Sequence, residues 1–222
     1  MHDEQVSNTM RYRSVILDVD STLCAIEGID WLAAQRGPEV AARIASVTER
    51  AMNGELALEA VYGQRLALVD PDATLLHQLA EQYLATISPD AEESVRRMQT
   101  AGVEVAIVSG GIRQCLMPLA ERLGVPDERL MAVSVYLDED GLYSTFDDAS
   151  PLATDSGKAW AARELALPGP VLGVGDGATD HSLALRAALI DVGAGTSEAC
   201  ARAAGATSAT RRWCTRRWRG AA

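Results

Sequence analysis

The chain has 222 residues, 48% apolar and 23% charged, with a formal net charge of −11. That composition is globular and excludes wholesale disorder, and the length bounds the molecule at one medium domain or a core with a smaller insertion. The acidic balance argues against nucleic acid as the main partner, and no apolar run approaches the roughly 20 residues of a membrane span. Residues 1–10 lack the apolar block of a signal peptide, so a cytoplasmic protein is expected. Cys24, Cys115, Cys200 and Cys214 are far apart with no C-x-x-C pair, which fits reduced thiols better than a disulfide framework or a zinc site.

In chain order, Arg13-Ser14-Val15-Ile16-Leu17 is a β-branched, apolar run ending in Asp18-Val19-Asp20. It predicts a buried parallel strand. Four helix-length pieces follow, over 29–36, 39–52, 55–69 and 72–87, punctuated by Gly37-Pro38, Asn53-Gly54, Asp70-Pro71 and Ser88-Pro89. Ser88 as N-cap and Pro89 at the first helical position predict another helix running to Gly102. A second buried strand is expected over 103–108, ending at Ser109-Gly110-Gly111, with a helix from near Ile112. Weaker strands fall at 131–135 and 188–192, a hairpin over 136–146 around Asp140-Gly141, and a third buried strand at 171–175, followed by Asp176-Gly177.

The stretch between the first two strands far exceeds a simple crossover. The simplest organisation is an α/β core from 11–26 and 88–210 with a helical insertion over 27–87. Residues 211–222 hold five arginines, two tryptophans and no acid. Such a basic stretch suits a membrane or nucleic-acid patch; a poorly ordered terminus is the expectation adopted here.

Chemistry is concentrated at the ends of the predicted strands. Asp18 and Asp20 close the first strand, and Asp176 and Asp180 follow a later one. Parallel central strands would bring these acids to one sheet end, where α/β proteins bind ligands. Several hard oxygen donors together suit Mg2+. Ser109, Gly110 and Gly111, entering a helix, could cradle a phosphate. Nineteen of the 20 basic residues are arginine, and Lys158 is the single lysine. A compact ammonium suits a crowded site between carboxylates and phosphate, where a planar guanidinium does not.

Each of these is a weak signal alone, but their order is specific. Asp18-Val19-Asp20-Ser21-Thr22-Leu23, Glu27-Gly28-Ile29-Asp30, Met52-Asn53-Gly54, Arg65-Leu66-Ala67-Leu68, Ser109-Gly110-Gly111, Ser156-Gly157-Lys158 and the run from Gly175 to Asp180 resemble the haloacid dehalogenase (HAD) superfamily, most closely its phosphoserine phosphatase family. The resemblance spans about 14–195 and leaves out the tail. It implies a Rossmann-like parallel sheet with the insertion as a helical cap.

The resemblance further implies that Asp18 is a nucleophile forming an aspartyl phosphate, with Asp20 as general acid and then base. Mg2+ would be held by Asp18, the Asp20 carbonyl and Asp176. Ser109, Gly110, Gly111 and Lys158 would bind the phosphoryl group, with Ser21, Thr22, Thr179 and Asp180 completing the site. Glu27 would receive the ammonium of phosphoserine, Arg65 its carboxylate, and Met52 would line the pocket. Asn53 stands where the family usually has glycine, and Thr179 where many relatives have asparagine. His181 and Cys24 have no required role.

Three alternatives stay open from sequence. One is a related phosphatase or phosphotransferase using phosphoethanolamine, phosphohomoserine or another small phosphomonoester. Another is a non-enzymatic phospho-acceptor, against which the insertion and Asp20 speak. The third, a dinucleotide site on Gly173, Gly175 and Gly177, has the wrong glycine spacing. A monomer and a homodimer are both compatible with the sequence.

Overall fold

The computed structural model describes residues 12–53, 55–56, 58–154, 156–176 and 187–191. Thr179, Asp180, His181 and the 211–222 tail lie outside them. The core is a five-stranded sheet in the order β3-β2-β1-β6-β7, built from β1 (Ser14–Leu17), β2 (Glu104–Ile112), β3 (Leu130–Val133), β6 (Val171–Gly175) and β7 (Ala187–Asp191). Every pairing in it is parallel. All four residues of β1 are buried, as expected of a strand covered on both faces. The chain is thus α/β, with the expected parallel core.

Between β1 and α5 (Ala91–Thr100) come α1 (Gly28–Gln35), α2 (Pro38–Met52), α3 (Leu58–Val69) and α4 (Ala73–Ala85). Their boundaries follow the punctuation. Gly37 takes a φ of +106°, open to glycine, ahead of Pro38 in the first turn of α2. Asp72 caps α4 by accepting from the Leu75 N–H at 2.8 Å. Helix α4 meets α6 (Arg113–Arg122) in the core, where the Cys115 thiol donates to the Leu76 carbonyl at 3.3 Å.

Several local expectations are corrected. The N-cap position of α5 is Asp90, not Ser88: the Ser88 hydroxyl donates to the Thr22 carbonyl at 2.9 Å and its N–H to the Leu23 carbonyl at 2.7 Å. It ties the inserted helices back to the loop after β1, and α5 starts only after Asp90 in the left-handed region at φ 66°. Ser109-Gly110-Gly111 is not the turn itself. Strand β2 runs through it to Ile112, with a register shift against β3 between Val108 and Ile112, a bulge that glycine accommodates. The strand expected over 131–135 breaks at Ser134, dividing β3 from a separate antiparallel hairpin of β4 (Val135–Leu137) and β5 (Tyr143–Phe146). Asp138 organises the hairpin turn by accepting from the Asp140 and Leu142 N–H groups, and Gly141 takes φ +78°.

Candidate active site

Parallel pairing sets the geometry. Leu17 pairs with Val174 and with Ile107, so the residues after β1, β6 and the middle of β2 emerge at one carboxyl end. Asp18 continues β1 by donating its N–H to the Val174 carbonyl at 2.9 Å. Asp176 follows β6 on the adjacent strand. To one side of this pair lie β2 and β3, to the other β7; a crevice beyond the strand ends at such a point is where open α/β sheets bind ligands.

Asp18 is buried, 6% exposed, and its Oδ1 lies 2.9 Å from Lys158 Nζ. Lys158 is itself 8% exposed, a burial an ammonium tolerates only with opposite charge at hand. It stands in the first turn of α7 (Gly157–Glu164). Helix α7 approaches Pro151 so closely that a Cβ at Gly157 would fall 2.0 Å from the Pro151 carbonyl oxygen. The glycine before the lysine therefore lets the helix seat Lys158 against Asp18.

The chain from Val19 to Leu23 is a single wide turn, bent at Asp20 (φ −59°, ψ 135°) and at Ser21 in the left-handed region (φ 50°). This conformation aims successive side chains in different directions. Asp20 Oδ1 accepts from the Tyr83 hydroxyl at 2.8 Å and from the Gly28 N–H at 3.0 Å. Burial raises the Asp20 carboxyl above its ordinary range, although those two bonds and the charges of Lys158 and Arg65 pull it down. Ser21 donates to Glu27 Oε1 at 2.5 Å. Thr22, fully buried, donates to Asp176 Oδ1 at 3.0 Å and so fixes one carboxylate of the adjacent strand.

Glu27 is open to solvent on one side and crowded by protein on the other. That crowding raises its carboxyl to about 6; the Ser21 bond opposes the shift, and the charges of Asp20, Asp176 and Asp30 add to it. Arg65, on α3, reaches Asp30 Oδ1 with Nη2 at 2.5 Å, while its buried Nε has no hydrogen-bond partner among the described residues. Ser109 is fully buried, and its Oγ accepts from the Gly111 N–H at 3.0 Å, leaving its own proton to donate. Gly110 meets little, the Leu152 carbonyl at 3.6 Å from a built Cβ. Met52 is the last residue of α2.

The structure therefore pairs Asp18 with Lys158, Thr22 with Asp176 and Ser21 with Glu27, and brings Lys158 and Arg65 within electrostatic reach of Asp20. Two tyrosines at this site escaped the sequence reading. Tyr83 holds Asp20, and Tyr62, one turn before Arg65, has a buried hydroxyl without a partner among the described residues. Both sit in helices whose apolar pattern marks them only as core positions. No local signal distinguishes a tyrosine whose hydroxyl reaches a distant loop.

Comparison with known proteins agrees with this arrangement. A family model described as haloacid dehalogenase-like hydrolase matches residues 12–188. The chloroplastic phosphoserine phosphatase of Arabidopsis thaliana is 35% identical over 170 residues, covering 75% of this chain and 57% of that protein. Phosphoserine phosphatase of Mus musculus is also 35% identical, covering 75% of each. The chain thus spans little more than half of the chloroplast relative and three quarters of the mouse one. A solved structure described as a phospho-aspartyl intermediate analogue of phosphoserine phosphatase superposes with a TM-score of 0.68 at 25% identity, covering 82% of this chain and 86% of that one. With its parallel core and clustered acids, the chain belongs to the haloacid dehalogenase-like hydrolase family and, within it, to the phosphoserine phosphatase branch.

Proposed function

We propose that the chain hydrolyses O-phospho-L-serine to L-serine and phosphate, the closing step of serine synthesis, in the cytoplasm. The observation that carries this reading is the buried Lys158 ammonium held 2.9 Å from Asp18 at the end of β1, with Glu27 and Arg65 nearby to receive an amino acid's two charges. A relative's description as a phospho-aspartyl intermediate analogue supports the same chemistry.

In this reading an Asp18 carboxylate oxygen attacks phosphorus, and the P–O bond to serine breaks. Asp20 gives its proton to the departing serine oxygen. It then takes a proton from the water that opens the aspartyl phosphate, which restores Asp18 and releases phosphate. Lys158 and the Ser109 hydroxyl bind phosphoryl oxygens, where stabilising transition-state charge counts most; the Gly110 N–H lines the same cradle, and Gly111 holds the Ser109 hydroxyl in place through its own N–H. Arg65 leaves Asp30 for the substrate carboxylate, which a guanidinium can bind by two hydrogen bonds. Glu27 pairs with the ammonium, and Met52 lines the pocket. Residues 27–87 act as the cap over a core of 11–26 and 88–210.

HAD phosphatases are generally dependent on a divalent metal, and the donors here fit Mg2+: the carboxylates of Asp18 and Asp176 on adjacent strands and the Asp20 carbonyl are hard oxygens, and Thr22 already orients Asp176. When bound, Mg2+ offsets the phosphate charge so that a carboxylate can approach it. Ser21 and Thr22 support the loop after β1, and the reading extends the site to Thr179 and Asp180, which lie outside the described residues. Among the described residues no helix is long and apolar enough to cross a membrane.

Phosphate release from phosphoserine with Mg2+ tests the reading, with phosphoethanolamine and homoserine as competing substrate and acceptor. Asp18→Asn should abolish release while leaving the circular dichroism unchanged. Full turnover by that variant would remove Asp18 as nucleophile.

A further inference from the structure

The acid/base carboxylate sits on a loop, not on a strand or helix. Asp20 belongs to the wide turn of 19–23, and the next residue is in the left-handed region. Nothing in the local backbone dictates where its carboxylate points. The orientation is imposed from the inserted helices. Tyr83, in the last turn of α4 and fully buried, donates to Oδ1 at 2.8 Å, and the first residue of α1, Gly28, donates its N–H to the same oxygen at 3.0 Å.

The space around the tyrosine hydroxyl is built for it. A Cβ at Gly28 would lie 2.1 Å from the Tyr83 hydroxyl oxygen, and a Cβ at Gly111 would lie 3.3 Å from it. Side chains are thus missing where this hydroxyl passes to reach Asp20. Behind it, the Cys24 thiol donates to the Tyr83 carbonyl at 3.3 Å. Both donors take Oδ1, and no hydrogen bond from the described residues reaches Oδ2.

We propose that Tyr83 is a positioning residue for the reaction: with Gly28 it anchors Asp20 through Oδ1, so that Oδ2 alone faces the departing serine oxygen and then the incoming water. The inference rests on the acid/base role given to Asp20 above. A carboxylate held by two donors on one oxygen has lost its main rotational freedom before substrate arrives, and misplacement of a reacting group by about 1 Å costs roughly a hundredfold in rate. In this role Tyr83 acts through Asp20 and not on phosphorus.

The test is a double-mutant cycle on phosphoserine turnover. Tyr83→Phe keeps the ring and removes the hydroxyl. It should lower kcat about tenfold or more, with KM and melting temperature near those of the unaltered chain. In an Asp20→Asn background the same change should cost nothing further, because Tyr83 acts only through Asp20. Gly28→Ala, whose methyl group would push the hydroxyl aside, should reproduce the loss of kcat and serves if Tyr83→Phe folds poorly. An unchanged kcat in Tyr83→Phe, or an equal further loss in the double variant, overturns the proposal. No phosphoserine turnover by the unaltered chain, or full turnover by Asp20→Asn, defeats the underlying reading instead, and the inference falls with it in a recognisably different way.

Discussion

In the proposed reaction Lys158 and Arg65 divide the cationic work by shape. The slot between Asp18 and the surrounding core leaves Lys158 8% exposed, room for a point charge but not for a planar fork. Lys158→Arg is therefore expected to lose about a hundredfold or more in kcat/KM while remaining folded; near-normal kinetics would show that charge alone suffices. Glu27 gives a pH prediction. Its carboxyl is raised to about 6, so it is charged at about pH 8 and largely neutral at about pH 5. Its attraction for the substrate ammonium should be present above that value and fade as pH falls through it. The KM advantage of the unaltered chain over Glu27→Gln should accordingly close between about pH 7 and pH 5; a constant ratio across that range would separate Glu27 from ammonium binding. Tyr62 makes the opposite case to Tyr83. Its ring packs on Phe146 with centroids 5.3 Å apart, but its hydroxyl is buried without an acceptor among the described residues. An unmet buried hydroxyl costs about 1 kcal/mol or more, so Tyr62→Phe should be no less stable to urea, and a loss of stability would reveal a partner for that hydroxyl.

At the scale of elements, the site depends on two close approaches. Strands β1 and β6 run side by side in parallel, so Asp18 and Asp176 emerge together without further instruction. Helix α7 is different, because its placement needs a residue without a side chain. A Cβ at Gly157 would lie 2.0 Å from the Pro151 oxygen, 2.4 Å from its carbon and 2.6 Å from Leu152 Cα, all backbone atoms that cannot swing away. Gly157→Ala should destabilise the fold by about 3 kcal/mol and lower activity by displacing Lys158; thermal unfolding and phosphate release measured together would expose an unstrained accommodation. The loop after β1 is held by comparable cross-chain ties, including Ser88 to the Thr22 and Leu23 carbonyls. The residue that reads as a helix cap in sequence is used to close the inserted segment onto the core.

For the whole molecule, the proposed reading calls for a divalent cation beside Asp18 and Asp176. Chelation with EDTA should abolish phosphate release and added Mg2+ should restore it; full activity after exhaustive chelation would exclude the ligand set of Asp18, Asp20 and Asp176. Much of this architecture was legible in the chain. The β-branched runs at 14–17 and 171–175, the glycine and proline punctuation from 37 to 71, and the order of acids, Ser-Gly-Gly and the lone lysine are local patterns, written within a few neighbouring residues. Local steric and hydrophobic preferences suffice to specify them. The sequence by itself thus determined the α/β class, the run of helices between β1 and β2 and the acids that follow β1 and β6. Only the tertiary structure decided which partner each of them has. Tyr83 and Asp20 are 63 residues apart, and Lys158 and Asp18 stand on different elements. Such pairings arise from the packing of α4 against α6 and of α7 against its neighbouring turn. Packing is a property of many side chains filling one volume together, and no short window of sequence carries it.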